Sequence, residues 1–163
     1  MRNNWIVLLI LILSACFGRP SETPTFVNKP FPSFNLFLAD SATYFNTNSF
    51  PGGQPVVLFF FGPYCPYSRA QMQEIVEHMD LLKDIQFCVL TTSSFDEMKG
   101  FYNHYQLSRY QNIKTGVDYT SFFSPYYEVP GVPYTVVYGT DKKLKDVFVG
   151  KVSAVKLKNS SYK

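Results

Sequence analysis

Residues 56–68 read VVLFFFGPYCPYS, and the physical character of the chain changes three times within them. Val56 to Phe61 is an unbroken apolar run. A strand with one wet face would alternate apolar and polar residues, so a run this uniform predicts a short central strand covered on both faces. Gly62, Pro63 and Tyr64 then break it. Pro66 suits the first turn of a helix, where its missing N–H is no loss. Met72, Ile75, Val76 and Met79 recur at helical spacing, with Gln71, Gln73, Glu74, Glu77 and His78 on the other face, so the helix is expected from about Pro66 to Asp80. Cys65 therefore falls at a strand-to-helix junction. Unpaired N–H groups and the positive helix end favour thiolate there, so its pKa is expected to fall below the ordinary value of about 8.5. Thiolate, not thiol, is the form that attacks disulfides. Ser68, one turn further on, is placed to donate its hydroxyl to the sulfur.

Downstream, Ile85 to Thr91 (IQFCVLT) reads as a second buried strand. Ser94 stands three residues before Glu97, a capping-box pattern that opens a helix running to about Tyr105. Ile113 to Val117 suggests a short strand, and Asp118 to Tyr127 a short helix or turn rich in Phe and Tyr. Tyr134 to Tyr138 and Leu144 to Val149 form a hairpin about the turn Gly139 to Lys143, closing at Gly150. Upstream, Phe34 to Phe37 and Tyr44 to Phe45 flank Ala39-Asp40-Ser41 as a hairpin, and Pro51 to Pro55 is a turn cluster. The residues after Gly150 are weakly patterned and read as a frayed helix or an extended tail. Strand, helix, strand, helix and hairpin make an α/β arrangement with a parallel core and an antiparallel edge. Aromatic residues are 18% of the chain, sixteen Phe and twelve Tyr, so core volume is not limiting.

The front of the chain reads differently. Arg2 supplies a positive start, Trp5 to Leu13 is apolar throughout, and Leu13-Ser14-Ala15-Cys16 follows. This is the order of a secretory signal peptide over residues 1–15. The apolar run is too short for a transmembrane helix, which needs about 20 residues. The L-S-A-C end resembles a bacterial lipobox, which implies lipidation at Cys16 and a membrane anchor; an ordinary signal peptide with an incidental cysteine is the alternative. Acyl chains contribute about 0.8 kcal/mol per buried CH₂, so several on one residue hold a small domain firmly. Residues 16–32, with Pro20, Pro24, Pro30 and Pro32, read as a flexible tether, and residues 33–163 as one domain. Phe17 stands after the lipid cysteine where an acidic residue would retain the protein in the inner membrane of some bacteria, so an outer-membrane, periplasm-facing lipoprotein of the cell envelope is expected. The net charge is +3 with both signs interspersed, and no basic run points to nucleic acid. Lys142, Lys143, Lys145, Lys151, Lys156, Lys158 and Lys163 read as a solvated edge.

The run VVLFFFGPYCPYS resembles the strand, loop and active-site helix of the thioredoxin superfamily, in particular its anchored TlpA-like branch. A second motif agrees: Val129-Pro130-Gly131-Val132-Pro133-Tyr134-Thr135 is similar to the segment whose proline is cis and lies beside the active cysteine, and Pro133 matches that proline. Asp118, the Asp141-Lys142 turn and Gly150 fall where the family has similar residues. The resemblance covers about residues 34–150. It implies a thioredoxin-like three-layer α/β/α sandwich, with a central mixed sheet and a C-terminal β-hairpin. It implies that Cys65 is catalytic with Ser68 beside it, and that Tyr64, Pro66, Tyr67, Val132 and Pro133 bind the substrate. The partner is then a cysteine-containing or disulfide-bonded protein, whose backbone pairs with that of Val132 as an added strand. No metal and no organic cofactor is implied.

The sequence departs from that pattern in four places. Ser68 replaces the second cysteine of C-x-x-C, Tyr64 stands where Trp is frequent, Phe59 takes the place of a buried acid, and the closing helix looks reduced. Without a second cysteine, a mixed disulfide at Cys65 needs an external thiol reductant to resolve it. Two readings follow: a monothiol thiol–disulfide oxidoreductase, or a redox-inactive binding lipoprotein that keeps the groove. A peroxide-reducing thiol fits less well, because Gly62 stands three residues before the cysteine where that chemistry has Thr or Ser. Cys88 lies mid-strand and reads as core. A Cys65–Cys88 disulfide is not expected, since one residue lies beyond its strand and the other within a neighbour. His78 and His104 are isolated from metal-ligand partners. Phe122, Phe123, Tyr126, Tyr127 and Tyr134 read mostly as core, with some bordering the cysteine and the proline.

Overall fold

The computed structural model describes residues 29–163. The expected signal peptide, Cys16 and the expected tether up to residue 28 lie outside the described residues. The described residues form one seven-stranded sheet in the order β2-β1-β5-β4-β3-β6-β7. The strands are β1 (Asn35–Leu38), β2 (Tyr44–Asn46), β3 (Val56–Phe60), β4 (Gln86–Thr91), β5 (Ile113–Val117), β6 (Tyr134–Tyr138) and β7 (Leu144–Val149). The helices are α1 (Pro66–Glu77), α2 (Met79–Leu82), α3 (Phe95–His104), α4 (Phe123–Tyr127) and α5 (Ala154–Ser161). β3 runs parallel to β4, and β4 to β5, while β6 lies antiparallel to β3 and β7 to β6. This is the thioredoxin-like three-layer sandwich.

Alternation along β3 shows why its sequence is apolar throughout. Val57, Phe59 and Phe61 face a core shared with Met72 and Ile75 of α1, Met98 and Phe101 of α3, and Leu157 of α5. Val56, Leu58 and Phe60 face a second core with Cys88, Leu90, Tyr134, Val136 and Tyr138, closed by Phe123 and Tyr127 of α4. Both faces are covered, so no position in the strand is free to be polar.

The structure corrects the sequence reading at four points. First, the helix expected to reach Asp80 breaks at His78 (φ −114°, ψ 27°), and a separate turn, α2, follows. The His78 ring nitrogen lies 2.9 Å from the Glu74 carbonyl oxygen, so the side chain occupies the end of the helix. Second, Gln71 is buried rather than solvent-facing; its Oε1 accepts the Val152 N–H at 2.6 Å. Third, the C-terminal residues form an ordered helix, α5, and not a frayed tail. Ser153 caps it by accepting the Lys156 N–H, Glu74 accepts the Ala154 N–H at 3.1 Å, and Leu157 is fully buried. Fourth, residues 29–32 pack on the domain although the tether was expected to include them. Pro30 pairs with Lys143, its carbonyl accepts the Tyr126 and Tyr138 hydroxyls, and Phe31 packs edge-on to Tyr138.

Candidate functional site

Cys65 is the N-cap residue of α1, with extended backbone (φ −68°, ψ 121°) and Pro66 in the first turn. A tight turn brings it there: the Cys65 N–H donates to the Gly62 carbonyl at 3.0 Å, and the Cys65 carbonyl accepts the Arg69 N–H, the first bond of the helix. Ser68 is fully buried beneath the loop, and its hydroxyl oxygen accepts the Gly62 N–H at 3.2 Å. That leaves the Ser68 proton to point at the sulfur.

The second half of the site comes from far along the chain. α4 ends at Glu128 in the left-handed region (φ 51°), and the chain turns through Val129 to a cis bond between Val132 and Pro133. Gly150, at the end of β7, donates its N–H to the Pro133 carbonyl at 2.9 Å; its φ of 86° is one that glycine adopts without steric cost. The Cys65 thiol donates to the Val132 carbonyl at 3.5 Å, across 67 positions of sequence. Gly62 makes room for this approach, since a Cβ there would stand 3.1 Å from Val132 Cγ2.

Cys65 is partly exposed. Its partial burial works against ionisation, but the Ser68 N–H, the Ser68 hydroxyl and the Tyr67 N–H outweigh it, and the thiol's pKa is lowered. The protonated sulfur thus has a carbonyl to donate to, and the thiolate has donors at the helix start. Tyr64, Pro66 and Tyr67 are exposed around it, Val132 is half-buried, and Pro133 is buried. A cleft of about 240 Å³ opens beside Tyr64, lined by Arg69 and by one face of α3 from Asp96 to His104.

Residues 26–162 match the Redoxin family. The chain belongs to the Redoxin family. Among solved structures it is similar to a secreted Mycobacterium tuberculosis disulfide oxidoreductase homologous to Escherichia coli DsbE, at 23% identity and a TM-score of 0.65, covering 78% of this chain and 93% of that one. It is also similar to StoA from Bacillus subtilis (12% identity, TM-score 0.61, 80% and 96% covered). A third likeness is to the thioredoxin domain of a thiol-disulfide oxidoreductase from Bacteroides vulgatus (14%, 0.64, 82% and 94%). No curated protein matches the sequence significantly.

Within this Redoxin fold the structure brings Cys65, Ser68, Tyr64, Pro66, Tyr67, Val132 and Pro133 to one end of the sheet. Cys88 lies apart from them, fully buried; burial, aided by the nearby Asp118 carboxylate, pushes its pKa up. Neither cysteine is in a disulfide. Phe123, Tyr127 and Tyr134 are core, as is the Tyr127–Tyr138 hydroxyl pair at 2.7 Å, while Phe122 and Tyr126 stack half-buried on one another. Asp118 steadies the chain that enters α4: its carboxylate accepts the Phe123 N–H and the Thr120 hydroxyl, both at 2.8 Å. Arg69 was not singled out from the sequence. It donates from Nε to the Pro63 carbonyl at 2.9 Å and lies over the Tyr64 ring, so it braces the loop that carries Cys65.

Proposed function

We propose that this Redoxin-family chain is a thiol–disulfide oxidoreductase of the cell envelope that works through a single reactive cysteine. The observation that carries the reading is Cys65: a partly exposed thiol at a helix start, with its pKa lowered, facing the Val132–Pro133 turn. The similarity to proteins described as disulfide oxidoreductases supports it.

In the proposed reaction the Cys65 thiolate attacks one sulfur of a protein disulfide. The S–S bond breaks, the other substrate sulfur leaves with the electron pair and takes up a proton, and a mixed disulfide forms at Cys65. Ser68 and the Tyr67 N–H stabilise the thiolate before attack and whenever it is regenerated. The Val132 backbone pairs with the extended substrate chain, and Tyr64, Pro66 and Tyr67 line its path. Ser68 cannot resolve the intermediate, so an outside thiol attacks the mixed disulfide, and two such thiols supply the two electrons. Lipidation at Cys16 would hold the domain on the membrane, with the outer membrane as the proposed site.

A second reading stays in play because a hydroxyl occupies the place of a resolving thiol: a binding lipoprotein that uses the same groove without redox chemistry. One experiment separates them. A disulfide-containing peptide is incubated with the chain and with Cys65→Ala, and complexes are read by mass spectrometry with and without reductant. A reductant-sensitive adduct that needs Cys65 supports the oxidoreductase. Equal, reductant-insensitive binding to both chains overturns it in favour of the binding module.

A further inference from the structure

The cleft beside Tyr64 holds charges of both signs that do not meet. One wall carries Arg69, whose Nε is committed to the Pro63 carbonyl and whose other guanidinium N–H groups have no partner among the described residues. The facing wall is one face of α3 from Asp96 to its last residue, His104. Asp96 there makes no hydrogen bond or ion pair among the described residues, and Glu97 directs one carboxylate oxygen to Ser94 and keeps its charge at the cleft. Phe101 and Tyr105 close the inner side, and the Tyr105 hydroxyl donates to the Arg69 carbonyl at 3.0 Å, fixing the two walls relative to each other. Gly100 leaves its part of the α3 wall without a side chain.

Opposite charges normally close on one another when side chains can reach. No ion pair joins Arg69 to Asp96 or Glu97 among the described residues, and all three line the same space of about 240 Å³. Sites that enclose drug-sized ligands run from about 300 to 1,000 Å³, so this one suits a molecule of amino-acid to short-peptide size. Such a molecule matches both walls if it carries one carboxylate and one ammonium. Tyr64, which lines the cleft, is the residue next to Cys65.

We propose that this cleft binds the external thiol that resolves Cys65, and that this thiol is a small zwitterionic one of the cysteine class. The inference rests on the monothiol reading above and names its reductant. The carboxylate pairs with Arg69 and the ammonium with Asp96 and Glu97, and the sulfur extends past Tyr64 to Cys65. Its thiolate attacks the Cys65 sulfur of the mixed disulfide. The bond from Cys65 to the substrate breaks, and the substrate sulfur leaves with the electron pair and is protonated by water. A second small thiol attacks the sulfur of the first, Cys65 leaves as thiolate, and the small disulfide departs. Two thiols have lost two electrons in all, and the protein disulfide has gained them.

The test runs the step in reverse on the full chain carrying Cys16→Ser. Thiolation of Cys65 is timed by mass spectrometry with four disulfides: cystine (both charges), cystamine (ammonium only), 3,3′-dithiodipropionate (carboxylate only) and bis(2-hydroxyethyl) disulfide (neutral). Two exposed ion pairs predict a cystine rate on the order of tenfold above the neutral reagent. Arg69→Met should bring cystine down to the cystamine rate, and Asp96→Asn down toward the dithiodipropionate rate, with the neutral reagent serving as the reference in each chain. Equal rates for all four, or cystamine as fast as cystine, overturn the inference while leaving Cys65 reactive. A neutral reagent that fails to label Cys65 at all overturns the oxidoreductase reading and this inference with it.

Discussion

Gly62 faces Val132 across a gap that is tight for a side chain: a Cβ on Gly62 would stand 3.1 Å from Val132 Cγ2 and 3.4 Å from Cys65 Cβ. The contact between the two halves of the site depends on that missing methyl.

Gly62→Ala is therefore expected to push the Val132 turn away from Cys65. Overpacking of this kind costs about 1–3 kcal/mol, which a denaturant titration reads directly. Thiolation of Cys65 by a disulfide-containing peptide should slow more than thiolation by a small neutral disulfide, because only the peptide uses the Val132 backbone. Gly62→Thr should do both more strongly. Equal slowing for the two reagents would show that Val132 does not position the substrate.

Ser68→Ala removes the hydroxyl that favours the thiolate and leaves the Gly62 N–H without its acceptor. A buried polar group left unpaired costs about 1–3 kcal/mol of stability. The midpoint of Cys65 alkylation against pH should move up toward that of an ordinary cysteine. Ser68→Cys should instead let the chain resolve its own mixed disulfide, seen as a shorter lifetime of the peptide adduct in the absence of added thiol.

The lowered Cys65 pKa carries a pH dependence of known sign. Between the folded pKa and the higher unfolded value, the folded chain binds fewer protons than the unfolded one, so stability rises with pH through that window. The contribution is complete above the unfolded value and is lost as pH falls through the folded one. Chemical denaturation of the native chain and of Cys65→Ala at pH 5, 7 and 9 should give a difference that shifts in favour of the native chain as pH increases.

Leu157 is fully buried between α5 and the sheet, so Leu157→Ala should cost about 2–5 kcal/mol. Val155→Ala, on the exposed face of the same helix, should cost little. If α5 merely frayed against the surface, the two variants would melt alike.

Cys88 should resist alkylation in the folded chain at any pH that leaves the fold intact, since burial disfavours its thiolate. Cys88→Ser puts a hydroxyl into an apolar strand and should destabilise by about 1–3 kcal/mol without altering Cys65 reactivity.

What could be read from the chain, and what could not, divides along physical lines. β3 and β4 were legible because both faces of each are covered, which leaves an apolar run that no surface segment imitates. The α3 start was legible because Ser94 and Glu97 satisfy each other within one turn. α5 was not, because its inward stripe is little more than Ala154 and Leu157. Its remaining buried residues are Ser160 and Ser161, which bond to Asp146 and to the Leu157 carbonyl. Gln71 looked like a surface residue because the N–H it accepts belongs to Val152, 81 positions away. The meeting of Cys65 with Val132 and Pro133 followed from resemblance to a known fold; local pattern alone would not have joined them. The fit at Gly62 and the divided charges of the cleft are set by how α1, α3 and the Val132 turn pack, and no local pattern encodes that.

Pro30 is fastened at the Tyr138 end of β6, whereas Pro133 and Cys65 sit at the other end of the same sheet. Five strand residues separate those two ends, about 13–17 Å. Seen from Lys29, the sulfur is the far headland. A protein partner drawn to the sulfur therefore meets the sheet at the end opposite the Pro30 anchorage.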